Sequence, residues 1–185
     1  MELTGQLLIA MPDMNDPRFA RSVIFLCSYS SDAAMGLIVN KPAGETYFSH
    51  LLQQLDIEIE STVVDQAQVY FGGPVDSGRG MVLHSRDYDN AKQTIKVGDE
   101  YSLTASFDVL KDLAMGRGPE KWLVVLGYAG WGKGQLDKEL VRNDWLVADA
   151  STDLVFDLDD HTKWAEAMKT IGIDPLMLSA SAGRA

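Results

Sequence analysis

The chain has 185 residues, 46% of them hydrophobic and 23% charged, which describes one globular domain over 1–185 with room for a continuous core. A net charge of −11, from 27 acidic against 16 basic residues, disfavours direct binding to nucleic acid, because that affinity comes from Lys and Arg displacing counterions. No apolar run reaches the length of a membrane span, the N-terminal MELTGQLLIAMPDMNDP has no basic start of a secretory signal, and the single cysteine forms no internal disulfide; together these point to the cytoplasm and to no membrane partner.

In chain order, Gln6–Ala10 reads as a short apolar strand closed by Pro12, and Ser22–Tyr29 as a strand apolar enough to be central. Met35–Asn40 is a third strand after a hairpin-like connection, stopped by Lys41 and Pro42. Phe48, Leu51, Leu52 and Leu55 recur at i, i+3, i+4 and i+7, so Tyr47–Leu55 is expected to be an amphipathic helix. Residues 57–66 carry no clear pattern. Gln68–Phe71 is a strand running into the glycine-rich GGPVDSGRG of residues 72–80, and Gly80–Ser85 is a further strand. Asp87–Asn90 is turn-like. Thr94–Val97 and Tyr101–Thr104 form a hairpin around Gly98 and Asp99.

Ser106 is an N-cap for a helix to Met115, with Phe107, Leu110 and Ala114 on one face and Gly116 beyond its end. Leu123–Leu126 is a buried strand expected to break at Gly127, followed by a loop through Gly134 and a helix over Gln135–Leu140. Trp145–Asp149 and Leu154–Asp157 are two more strands. Asp160 caps a last helix with Trp164, Met168 and Ile171 inward and Gly172 as its stop, and residues 173–185 form a loosely ordered tail. Hairpins mixed with isolated helices argue an α+β fold with nine or ten strands and about four helices.

No residue set spells out a known chemistry. GYAGWGKG fits the GxxxxGK of a phosphate loop, but Gly134 stands where Ser or Thr must hold Mg2+. His50, His84 and His161 fall in no ligand spacing, so no metal and no cofactor is expected. Cys27 lies in an apolar strand with no positive charge nearby in sequence to stabilise a thiolate. The aspartates 144, 149, 153, 157, 159 and 160 lack the glycine and closing glutamate of a calcium loop. His84, at the end of a strand leaving a glycine-rich stretch, reads either as an acid–base group or as a hydrogen-bonded structural histidine.

IAMPDMNDPRFARSVIFLC, AMGLIVNKP, YFGGPV followed by MVLHS, and LGYAGWGKGQLDKEL with Trp145 downstream resemble the bacterial YqgE/AlgH family from about residue 5 onward. The resemblance implies an α+β fold whose branched, strongly bent, mostly antiparallel sheet forms a partial barrel with helices around it. It implies no activity and no catalytic residues, although some members carry the name of a transcriptional regulator. The signature positions it marks are Asp16, Pro17, Ser22, Asn40, Lys41, Pro42, Gly72, Gly73, Pro74, His84, Gly127, Tyr128, Gly130, Trp131, Gly132, Gln135 and Leu136. Two departures stand out: Ser28 and Tyr29 replace a frequent Glu-His pair, and Lys133 replaces a frequent proline.

Two functions follow as expectations. In the first, the stretches 72–80 and 127–134 meet and bind a small ligand or a protein partner, with Asn40, Lys41, Gly72, Gly73, Pro74, His84, Gly127, Tyr128, Gly130, Trp131 and Gln135 as the candidate residues. In the alternative, the same cleft is an enzyme site of unknown substrate with His84 as acid–base. The structural reading of those glycines is that they permit close strand crossings in a bent sheet.

Overall fold

The computed structural model describes residues 2–89 and 93–178. Within these residues ten strands form one branched sheet: β1 Gln6–Ala10, β2 Val23–Tyr29, β3 Ala34–Ile38, β4 Pro42–Tyr47, β5 Gln68–Phe71, β6 Val75–Ser85, β7 Thr94–Val97, β8 Tyr101–Thr104, β9 Trp122–Trp131 and β10 Trp145–Asp149. Among the described residues four α-helices accompany them: α1 Phe48–Gln54, α2 Phe107–Ala114, α3 Gln135–Val141 and α4 Asp160–Thr170. The main path runs β10-β1-β2-β3-β9-β6-β8-β7 and is antiparallel throughout, curling into a half-barrel.

The fork lies in β9. Its first half pairs with β5, in parallel, through Val124, Val125 and Leu126; its last three residues pair with β3 instead, and β6 lies along it from Trp122 to Tyr128. Gly127, at φ 71, marks the change of neighbour. It also reverses the alternation of side chains. Leu123 and Val125 face the cluster that holds Phe25, Leu83 and Trp164, and strict alternation would put Ala129 and Trp131 there too. Both instead join the opposite cluster, with Leu136 and Trp145, while Tyr128 takes the first face. The left-handed backbone at Gly127 does this, and the register with β6 shifts at the same point, where residues 76–79 of β6 stand opposite Gly127 alone.

Alternation in β1 and β2 builds both faces of the half-barrel. Leu7, Ile9, Val23 and Phe25 point to the side covered by α4, while Leu8, Ile24 and Leu26 point to the side covered by α3. A third cluster packs α1 and α2 through Phe48, Leu52, Val109 and Leu113 against Val82 and Val124. Lys163 of α4 is buried at 1% exposure, its ammonium donating to the carbonyls of Val39 and Val155 at 2.8 and 2.9 Å and lying 3.6 Å from Asp160.

Several expectations need correction. Leu154–Asp157 is no strand: residues 153–157 make one π-helical turn, closed by Leu158 N–H donating to the Asp153 carbonyl at 3.0 Å. The stretches 72–80 and 127–134 are mostly strand, since β6 starts at Val75 and β9 runs to Trp131. β4 begins at Pro42, which was expected to end a strand. On α2 the buried residues are Val109, Leu113 and Ala114, and Phe107 is 60% exposed. The cap of α4 is Asp159, whose carboxylate accepts from His161 N–H. The expected tail is described only to Leu178, with one 3₁₀ turn at Pro175–Leu178; residues 179–185 lie outside the described residues, as does Asn90 of the expected turn.

Candidate functional site

Two backbones cross at the fork with no room for a side chain between them. A Cβ on Gly73 would meet the Tyr128 carbonyl carbon at 2.1 Å and Ala129 N at 2.3 Å. A Cβ on Gly127 would meet the Gly73 carbonyl oxygen at 2.5 Å. The crossing fixes Pro74 and Val75 beside Gly130 and Trp131, so the two glycine-bearing stretches do meet.

Above this crossing lies a cleft of about 590 Å3, with the loop from Asp13 to Phe19 on one lip and Arg142–Asp144 on the other. Its floor is a carboxylate held by three N–H donors. Glu139 Oε2 accepts from the indole nitrogens of Trp131 and Trp145, both at 2.8 Å, and its Oε1 accepts from Gln135 Nε2 at 2.9 Å. Gln135 in turn accepts from Gly132 N–H at 3.1 Å, tying α3 to the end of β9. The two indoles meet edge to face at 6.1 Å, and Phe19 packs on Trp145 at 5.8 Å. Charge-assisted bonds to a half-buried acceptor are strong, so this floor is preorganised.

Each lip carries an ion pair two residues apart, Asp16 with Arg18 and Arg142 with Asp144, both at 2.6 Å. The hydrogen bond from Arg18 holds the Asp16 carboxyl below the usual carboxylate range. Cleft-lining acids are Asp13, Asp16, Glu139 and Asp144, against two cations, Arg18 and Arg142.

Of the residues expected from sequence, Pro74, Gly130, Trp131 and Gln135 line this cleft, and Gly72, Gly73 and Gly127 form the crossing beneath it. Tyr128 turns to the other face, where it lines a more apolar cleft of about 490 Å3 that adjoins the first at Val75, Gly130 and Trp131. Asn40 and Lys41 line a third cleft, beside α4. His84 lines none of these and is 0% exposed. Its Nδ1 lies 2.7 Å from the Ser85 carbonyl, which can only accept, so Nδ1 carries the proton and Nε2 accepts from the Thr104 hydroxyl at 2.9 Å. Burial pushes its pKa down. The expected acid–base group is therefore a neutral histidine sealed between β6 and β8.

Sequence reasoning missed Glu139 and the Arg142–Asp144 lip. The one-turn spacing of Gln135 and Glu139 was the available signal for the first, since residues four apart share a helix face.

Residues 7–176 match the AlgH-like family. The chain belongs to that family. A UPF0301 protein from Ruegeria pomeroyi is 55% identical over the whole of both chains, and one from Jannaschia sp. is 53% identical over all of this chain and 96% of its own. The solution structure of the AlgH protein from Pseudomonas aeruginosa, 38% identical, superimposes with a TM-score of 0.79, covering all of this chain and 97% of that one. A crystal structure from Corynebacterium diphtheriae, 20% identical, gives 0.76 over 97% and 93% of the two chains and shows the shared fold alone. Among the described residues no helix is long and apolar enough to cross a membrane.

Proposed function

We propose that this AlgH-like protein is a binding protein, and that the cleft between the Asp13–Phe19 loop and α3 takes a small ligand or a short segment of a partner protein. The observation that carries the reading is the Glu139 floor: three N–H donors from β9, α3 and β10 fix one carboxylate at the bottom of an open cleft. With four acids against two cations in the lining, the cleft favours an occupant that carries amines or other N–H donors and disfavours a phosphodiester backbone. Any regulatory role then runs through ligand or protein contact, not through direct reading of DNA. The enzyme alternative has no support in its named residue, because His84 is buried away from the cleft.

A screen of small amines and short basic peptides against 15N-labelled protein tests this. The expected result is saturable movement of the Trp131 and Trp145 indole N–H signals, abolished in Asn15→Trp, which fills the cleft from an exposed position. Binding that leaves both indole signals still, or that survives Asn15→Trp, refutes the assignment. So does retention of duplex DNA in a gel shift at moderate salt.

A further inference from the structure

Asn40 and Lys41 open onto a cleft of about 650 Å3 between residues 12–21 and α4. Asn40 is buried and makes two backbone bonds there: its Oδ1 accepts from Val23 N–H at 2.8 Å, and its Nδ2 donates to the Arg21 carbonyl at 2.9 Å. Arg21 needs that restraint, because it sits in the left-handed region at φ 54. A bulky residue held there costs energy, and such strain is concentrated at functional positions.

The Arg21 side chain is exposed and rests on an aromatic ring. Arg21 lies over the Trp164 ring, 5.4 Å from its centroid, and that ring is itself anchored by its indole N–H donating to the Ala10 carbonyl at 2.8 Å. Lys41 donates to the Arg18 carbonyl at 2.8 Å, which leaves two ammonium protons unused. Burial pushes its pKa down. Among the described residues, neither Arg21 nor Lys41 has a carboxylate within 4.0 Å. Two cations without a carboxylate within ion-pair distance among the described residues thus share one cleft in a chain of net charge −11, with Asp16 acting on Lys41 only through its longer-range charge.

The other charged groups fit the same picture. His161 and Lys169, from α4, also line the cleft, and Lys169 is paired with Glu166 at 2.6 Å. Of the two acids present, Asp160 accepts from the Tyr70 hydroxyl at 3.1 Å and lies 3.6 Å from the buried Lys163 ammonium; Asp174 is the second.

We propose that this cleft binds the phosphoryl group of a small phosphate monoester through Arg21 and Lys41. A planar guanidinium offers two parallel N–H donors and an ammonium adds a point charge, which together neutralise a dianion. The cleft is far larger than a bare phosphate, and Trp164, Pro12 and Ala165 provide an apolar wall for the organic part.

The test is titration of 15N-labelled protein with inorganic phosphate and with glycerol 3-phosphate, against sodium chloride at matched ionic strength. Saturable shifts are expected at the Trp164 indole N–H and the Arg21 Nε–H, with the ester binding more tightly than the free ion. Lys41→Gln and Arg21→Gln each weaken binding about tenfold, the equivalent of one charge-assisted hydrogen bond. If Arg21→Gln unfolds through loss of its stack on Trp164, Lys41→Gln decides, because it gives up only one bond to a backbone carbonyl. Shifts no different from those in chloride, unchanged affinity in Lys41→Gln, or movement confined to the Trp131 and Trp145 indoles each overturn the proposal. Those last two signals report the first cleft, so the two readings fail separately.

Discussion

Replacing Glu139 by alanine removes the single acceptor that serves two buried indoles. Trp131 and Trp145 are 5% and 4% exposed, and each donates its N–H to Glu139 Oε2 at 2.8 Å. An orphaned buried donor costs about 1–3 kcal/mol, so two cost about 2–6 kcal/mol, and the more exposed tie to Gln135 adds about 0.5 kcal/mol. Alanine returns a few tenths of a kcal/mol as the better helix former. The expected net loss is about 2–6 kcal/mol. For a chain of this length that lowers the melting temperature by about 4–24 °C. Glu139→Gln keeps an oxygen for the indoles, loses charge assistance and faces Gln135 with a second donor, so about 1–2 kcal/mol is expected. Urea unfolding followed by tryptophan fluorescence measures both. A loss below about 1 kcal/mol in Glu139→Ala, with Glu139→Gln indistinguishable from it, means that water reaches the indoles. The floor of the cleft is then not the fixed element described above.

Gly73→Ala places a Cβ against β9 backbone at 2.1 Å, where no side chain can yield, and is expected to cost more than about 3 kcal/mol or to abolish folding, as read by circular dichroism. Lys163→Met leaves Asp160 without its buried cation and two carbonyls without their donor, for an expected loss of about 3–5 kcal/mol in urea unfolding. Burial lowers the pKa of His84 in the native state, whereas in the unfolded chain a histidine titrates near about 6.5. Below that pH the unfolded chain takes up a proton that the native state resists, so stability falls with falling pH until native His84 itself protonates. The wild-type urea midpoint is therefore expected to drop more than that of His84→Gln between about pH 7 and about pH 5.5, and equal drops would contradict a buried neutral histidine. Burial pushes the Cys27 thiol up to about 12, so native protein should resist alkylation at neutral pH and react only once urea unfolds it, as mass spectrometry will read.

Local patterns were legible where local chemistry decides. The Thr94–Val97 and Tyr101–Thr104 hairpin has the bounds that its Gly98–Asp99 turn implies, and β1, β5 and β10 also match residue for residue. β9 was misjudged because a glycine after an apolar run reads as a stop. With β6 pairing on both sides of it, Gly127 turns the backbone inside a continuing strand while the extra residues of the irregularity lie in β6, and the identity of those neighbours is not a local property. β4 was missed because PAGETY is polar, starts with proline, and pairs with β5 only at its two ends. Leu154–Asp157 is a short apolar run, which by periodicity alone does not separate strand from helix.

The same division holds for the site. Pro74, Gly130, Trp131 and Gln135 stand out in the sequence as proline, glycine, aromatic and amide residues in glycine-rich stretches, and the cleft gathers them. The role of Glu139 depends on Trp131 and Trp145 arriving from two different strands, which no local spacing reveals. Asn40 and Lys41 belong to another face, because β3 ends at Ile38 and its continuation turns toward α4.

The position of β9 also sets an order of assembly during translation. β3, β5 and β6 all pair with it, yet it is made after every one of them. A nascent chain can close the β1–β2–β3 meander early, but the open edge of β3 waits until residue 131 has left the ribosome, and β1 waits longer still for β10. The emerging polypeptide thus carries unpaired edges on β1, β3, β5 and β6 until β9 and β10 are made.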